Sequence, residues 1–242
     1  MAIVKPFRGL RPPRNYVKDI VTRPFDVQNS IEARREMGSN KKSLFRITKP
    51  EVDFRDGIDE YHPEVYIHAA RTLTNFEERG WLKQDKKECY YVYAQTMKGH
   101  TQYGVVLCTH VDEYINNTIK KHELTRPDKE EDRTKHIYST EANTEPVFLT
   151  YRRNREIDNI VLKVIAKPAE YDFVTSAGFG HHFWVVNEDE DIHQITSLFS
   201  KVPALYIADG HHRIAAAVEV SKLKAKENPH HTGTEGYNYI MA

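Results

Sequence analysis

The spacing of apolar and polar residues changes period several times along this chain, and the sharpest change comes late. Leu205-Tyr206-Ile207-Ala208 is a short apolar run after Pro203 and predicts a strand. Alanine-rich sequence from Arg213 to about Lys226 predicts a helix. Between them lies Asp209-Gly210-His211-His212, a turn in which Asp209 is placed to cap the helix and Gly210 to take a backbone shape closed to other residues.

The remaining pattern is less uniform. Pro6, Pro12, Pro13 and Pro24 favour extended, irregular backbone near the start, with an edge strand in 3–10 and a fixed loop in 23–27. Ser30 is read as the cap of a helix over 31–37, and 44–47 as a strand stopped at Pro50. Val65, Ile67, Ala69, Ala70, Leu73 and Phe76 recur at helical spacing, so 61–80 reads as a helix ended by Gly80. Residues 90–95 and 102–108 are rich in β-formers and predict a hairpin with a longer turn through Lys98-Gly99-His100. A helix is expected over 111–121. Another starts at Pro127, with Lys129, Arg133 and His136 on one face. Strands are expected at 146–151, 160–165, 169–176 and 183–186, and a helix at 191–199. The chain stops inside an apolar strand at 237–242, an ending that predicts a longer natural protein.

Composition bounds the classes. The chain has 242 residues, 39% hydrophobic and 29% charged, enough for one large domain or two small ones. A soft boundary near 110 divides it into an N-terminal α/β region, 1–110, and a second region, 111–242. Lysine plus arginine balance aspartate plus glutamate at 35 each, which argues against nucleic-acid binding by bulk charge. Two cysteines make no disulfide framework, and neither a signal peptide nor a run of membrane-spanning length is present. The expectation is a soluble cytoplasmic protein with no membrane partner.

Candidate chemistry concentrates in two segments. A helix N-terminus offers free N–H groups and the positive end of the helix dipole, and so attracts phosphate. An arginine beside it can grip phosphate bidentately. Capping alone requires none of the side chains His211, His212 and Arg213, so their presence in this turn points to a phosphate site. The second segment runs from Lys121-His122-Glu123 through Arg126 to Lys129 and Arg133. By charge alone it reads first as a solvated helix face. His122-Glu123 lacks the second histidine of a zinc-protease motif. The thirteen histidines include pairs at 181–182, 211–212 and 230–231, but no carboxylate or cysteine stands beside them at zinc-site spacing. No side-chain metal cluster is therefore expected, and Asp209 is the candidate carboxylate for Mg²⁺.

The run Lys5-Pro6-Phe7-Arg8-Gly9-Leu10-Arg11-Pro12, the Pro24-Phe25-Asp26-Val27 loop with Glu32-Ala33-Arg34, the Lys121-His122-Glu123-Leu124-Thr125-Arg126 segment with Lys129-Glu130 and Asp132-Arg133, and Tyr206-Ile207-Ala208-Asp209-Gly210-His211-His212-Arg213 together resemble the domain-of-unknown-function 1015 family over the whole chain. The Asp-Gly-His-His-Arg turn is also similar to that of the archaeal free serine kinases, members of the ParB and sulfiredoxin superfamily. That resemblance implies an α/β or α+β fold, with a ParB/sulfiredoxin-like mixed sheet, flanking helices and an N-terminal α/β extension. It implies a nucleotide-dependent phosphotransferase acting on a small hydroxylated metabolite, with free L-serine the leading acceptor and ATP or ADP with Mg²⁺ as cofactors. In those kinases a Pro-His-Glu segment supplies the catalytic base. Here Glu123 takes that position and Lys121 replaces the proline.

On this resemblance Glu123 and Asp209 are the catalytic candidates, and Gly210, His211, His212 and Arg213 hold the phosphates. His122, Arg126, Lys129 and Arg133 add charge or hold substrate. The rival reading is a non-catalytic nucleotide-binding regulatory module. ParB-like DNA binding lacks a basic recognition helix, and sulfiredoxin chemistry lacks its cysteine, since position 211 is histidine.

Overall fold

The computed structural model describes residues 2–55 and 57–242, and the fold is mixed α/β. The edge strand expected over 3–10 is instead two short strands in different sheets, β1 (Val4–Lys5), at the edge of its sheet, and β2 (Leu10–Arg11). After the short helix α1 (Val17–Ile20), helix α2 (Ser30–Met37) is capped by Asn29 rather than Ser30. The Asn29 side chain accepts the Glu32 N–H at 2.9 Å and the Glu32 carboxylate accepts the Asn29 N–H at 3.0 Å, a reciprocal capping box.

The strand expected at 44–47 is instead a single helical turn, α3 (Phe45–Thr48). Its two large residues serve different clusters: Phe45 packs with Ala33 and Val52, and Ile47 with Leu73 and Phe76. Helix α4 (Pro63–Glu78) opens with proline at its first position, is capped by His62, and is stopped by Gly80 at φ +67°. Strand β3 (Lys83–Gln84) pairs with β2.

The hairpin of β4 (Tyr90–Met97) and β5 (His100–Val106) is tighter than predicted. Met97 pairs with His100, and only Lys98 and Gly99, both at positive φ, make the turn. Two positive-φ residues match the right-handed twist of the strands, which a longer loop does not require. Strand β6 (Cys108–His110) pairs with β1. The helix expected over 111–121 is only α5 (Val111–Ile115), and the chain then enters strand β7 (Ile119–Lys120). Asn117 at φ +63° breaks the helix between them.

Helix α6 (Pro127–Thr140) starts at its proline as predicted, and strand β8 (Phe148–Thr150) follows. The segment read as a strand at 160–165 lies in helix α7 (Arg155–Ile165), capped by Asn154. Ile157, Ile160 and Val164 are buried at helical spacing, whereas Leu162 in the middle of the apolar run is exposed. Strand β9 (Tyr171–Val174), strand β10 (Gly180–Val186), helix α8 (Asp189–Phe199), strand β11 (Leu205–Asp209), helix α9 (His211–Glu227) and strand β12 (Tyr239–Met241) complete the chain.

The sheets run β1-β6-β12, β5-β4-β10-β9, β7-β11-β8 and β2-β3. Two of them draw strands from both sides of residue 110. The main core lies under one face of the four-stranded sheet. There Tyr90, Val92, Ala94, Trp184 and Val186 join Ile157 and Ile160 of α7, Ile195 and Leu198 of α8, Ile207 of β11 and Ile214 of α9. Burial of this apolar area is the dominant favourable term in folding. Among the described residues, no helix is long and apolar enough to cross a membrane.

Candidate phosphate site and the loop beside it

The site begins with strand pairing. β11 lies between β7, which it meets in parallel, and β8, which it meets antiparallel. Leu205 stands opposite Ile119 and Tyr206 opposite Lys120. Two parallel strands in register leave the sheet at the same edge, so the residues after Lys120 and those after Asp209 emerge side by side. The carboxyl edge of parallel strands is where open α/β sheets bind ligands.

At that edge Gly210 takes φ +94°, and α9 begins at once. A Cβ on Gly210 would lie 3.1 Å from Nε of Arg213, so glycine is required both by the backbone and by that close approach. Asp209 does not cap α9, contrary to the sequence expectation. Its carboxylate instead accepts from Nη2 of Arg213, whose Nη1 donates to the Pro146 carbonyl. The arginine is thereby folded back against the strand end, and its side chain is 13% exposed. The N–H groups of His211, His212 and Arg213 precede the first helical bond, from Ile214 N–H to Gly210 O at 3.1 Å.

The neighbouring loop meets this turn at two points. Nε2 of His212 accepts the Arg126 N–H at 3.1 Å, which leaves the ring proton on Nδ1. Nδ1 of His211 lies 3.9 Å from Oε2 of Glu123, and the His211 ring meets His122 edge-on at 4.5 Å. His211 is buried, and its Nε2 has no hydrogen-bond partner among the described residues. Burial, reinforced by His122, lowers its pKa. His122, Glu123 and His211 each offer one ligand atom, and these atoms lie within 4.8 Å of one another. This corrects the expectation that no side chains cluster for a metal: the cluster is assembled from two segments, neither of which has metal-site spacing alone. Asp209 is not part of it.

A cavity of about 390 Å³ adjoins the turn and shares His212 with it. Phe25 of the Pro24–Val27 region, Lys49 and Glu51 line one part, and Tyr66, Lys129, Asp132 and Arg133 another. Arg133 lies 4.1 Å over the Phe25 ring and donates to Asp132 at 2.8 and 3.0 Å. Asp132 also accepts the Tyr66 hydroxyl proton at 2.8 Å. Lys129 donates to the Tyr61 hydroxyl at 2.9 Å. His136, on the same helix face, donates from Nε2 to the Ile47 carbonyl at 2.7 Å, and burial lowers its pKa to about 4. Glu145 accepts the Phe25 N–H at 3.0 Å. Its other oxygen is buried without a partner among the described residues, and burial raises its pKa.

The structure therefore brings Asp209, Gly210, His211, His212, Arg213, His122 and Glu123 to one sheet edge, and puts Lys129 and Arg133 on the cavity that His212 borders. The Arg126 guanidinium turns away to Asp128, so only its backbone amide serves the site. Tyr66, Lys49, Glu51 and Glu145 belong to no motif of the sequence, and Asp132 enters there only beside Arg133. Each looks like an ordinary polar residue until the fold buries it.

No curated protein and no solved structure matches the chain. The sequence pattern of the family described as Protein of unknown function (DUF1015) matches residues 4–242, almost the entire length, and the chain belongs to that family.

Proposed function

We propose that this protein binds a nucleotide through its phosphates at the 209–213 turn and transfers a phosphoryl group to a small hydroxylated metabolite. The observation that carries the reading is the start of α9. A 17-residue helix begins on a left-handed glycine with no side-chain cap, and its first amides face the edge where the loop of Glu123 and the adjoining cavity meet. Phosphate in this place would accept those N–H groups and gain from the helix dipole. Arg213, held by Asp209 and Pro146, shapes the turn and adds positive charge. Glu123, with no hydrogen bond of its own among the described residues, stands ready to accept the acceptor's proton. Asp209 is the carboxylate that a nucleotide-bound Mg²⁺ would meet first. The charged groups of the cavity, including Lys129 and Arg133, would orient the acceptor, with free L-serine the first to test. Cys89 and Cys108 are free thiols, in keeping with a cytoplasmic setting that supplies ATP or ADP.

One observation favours a second reading, a non-catalytic nucleotide-binding module: the Arg213 guanidinium is already occupied by two internal partners. Calorimetric titration with ADP, ATP and AMP plus Mg²⁺, beside Arg213→Ala checked for folding by circular dichroism, tests the shared part of both readings. Binding that depends on Arg213 is expected, and no binding at millimolar nucleotide overturns both. A phosphorylation assay with L-serine and other small alcohols then separates enzyme from sensor.

A further inference from the structure

We infer that His122, Glu123 and His211 form a binding site for one divalent transition-metal ion of the zinc class. The three ligand atoms lie within 4.8 Å of one another, and the Glu123–His211 pair is already at 3.9 Å. Ligands about 2.1 Å from a tetrahedral ion lie roughly 3.4 Å apart, so an inward movement of about 1 Å completes the geometry. His122 and Glu123 are exposed loop residues with the rotamer freedom to make that movement.

The donor set selects the ion class. Two imidazoles and one carboxylate suit zinc and its neighbours, whereas Mg²⁺ and Ca²⁺ prefer oxygen alone. A second observation points to a ligand. His211 is only 6% exposed, and its Nε2 is buried with no hydrogen-bond partner among the described residues. Buried polar atoms are nearly always bonded. One nitrogen of this ring would ligate the ion.

Three protein ligands leave a fourth position for water or for an oxygen of a bound molecule, the pattern of a catalytic rather than a structural zinc site. The inference does not depend on the phosphotransferase reading. The two do interact, because an ion on Glu123 withdraws that carboxylate from proton transfer.

The test is titration of the full chain, stripped with chelator and free of nucleotide, with ZnCl₂ by calorimetry and with CoCl₂ by visible absorption. One ion per chain is expected. His122→Ala and Glu123→Gln should each weaken binding at least about tenfold, and the exposed His230→Ala should leave it unchanged. Both site variants alter exposed residues, so the core is retained, and circular dichroism checks it. His211→Ala is avoided because that ring is buried. The absence of a stoichiometric ion, or binding that survives in both site variants, overturns the assignment. Nucleotide binding is read separately, so failure here leaves the phosphate turn standing.

Discussion

Nδ1 of His211 lies 3.9 Å from Oε2 of Glu123, a contact between the first residue of α9 and a loop that closes before α6 begins. It exists because β7 and β11 run parallel with Ile119 opposite Leu205. Antiparallel pairing would have sent the two following segments to opposite edges of the sheet.

Glu123→Gln keeps the shape of the side chain and removes its ability to take a proton. Nucleotide affinity should change by less than about twofold, while phosphoryl transfer falls by roughly 10²–10⁴, the usual contribution of a general base. Calorimetry and a turnover assay read the two effects separately. Retained turnover would remove Glu123 from the proposed chemistry.

Gly210→Ala is expected to damage both fold and site. A residue with a Cβ is strained at φ +94°, by about 1–3 kcal/mol. The added methyl would also press on the Arg213 guanidinium, whose Cζ it would approach to 3.2 Å. Thermal unfolding should shift down by several degrees and nucleotide binding should weaken. An unchanged melting temperature would show that the turn relaxes freely.

Tyr66→Phe tests the support beneath Arg133. Burial and the bond to Asp132 push the Tyr66 hydroxyl well above the usual phenol range, so it remains a donor at every working pH. Its loss deprives a buried carboxylate of one partner and should cost about 1–3 kcal/mol in urea denaturation. The protein should stay folded, because Asp132 retains Arg133.

His136 makes stability depend on pH. Its folded pKa is lowered to about 4, chiefly by burial and then by Arg133, against an unfolded value near 6.5. A depressed folded pKa means that the unfolded chain binds the extra proton first. The contribution is complete above about pH 6.5 and is lost as pH falls through the window down to about 4, on the order of 3 kcal/mol in all. His136→Gln keeps a donor for Ile47 and abolishes this titration. The variant's melting temperature should vary less between pH 7 and pH 4.5 than that of the parent, and equal slopes would exclude His136 as the cause.

Much of this arrangement is legible before folding. The Leu205–Asp209 strand, its glycine turn and the alanine-rich helix follow from local pattern, as do α4, α6 and the β4–β5 hairpin. Errors fall where a short apolar run fits both periods. Ile160-Val161-Leu162 looks like a buried strand, yet the Asn154 cap and the burial of Ile157, Ile160 and Val164 make it helical. Asp209 is a good cap by type, but a nearby arginine outcompetes the helix amides for its carboxylate.

What the sequence determined by itself is the set of local commitments: where strands and helices begin, which glycine must turn left-handed, and which charged residues cluster at the turn. These depend on residues within a few positions of one another. Only the tertiary structure decided that His122 and Glu123 would face His211, that Phe25 would lie under Arg133, and that Tyr66 and Asp132 would share a buried bond. Those relations depend on strand register and helix packing, which are set by burial of the whole core and leave no periodic trace in the segments they join.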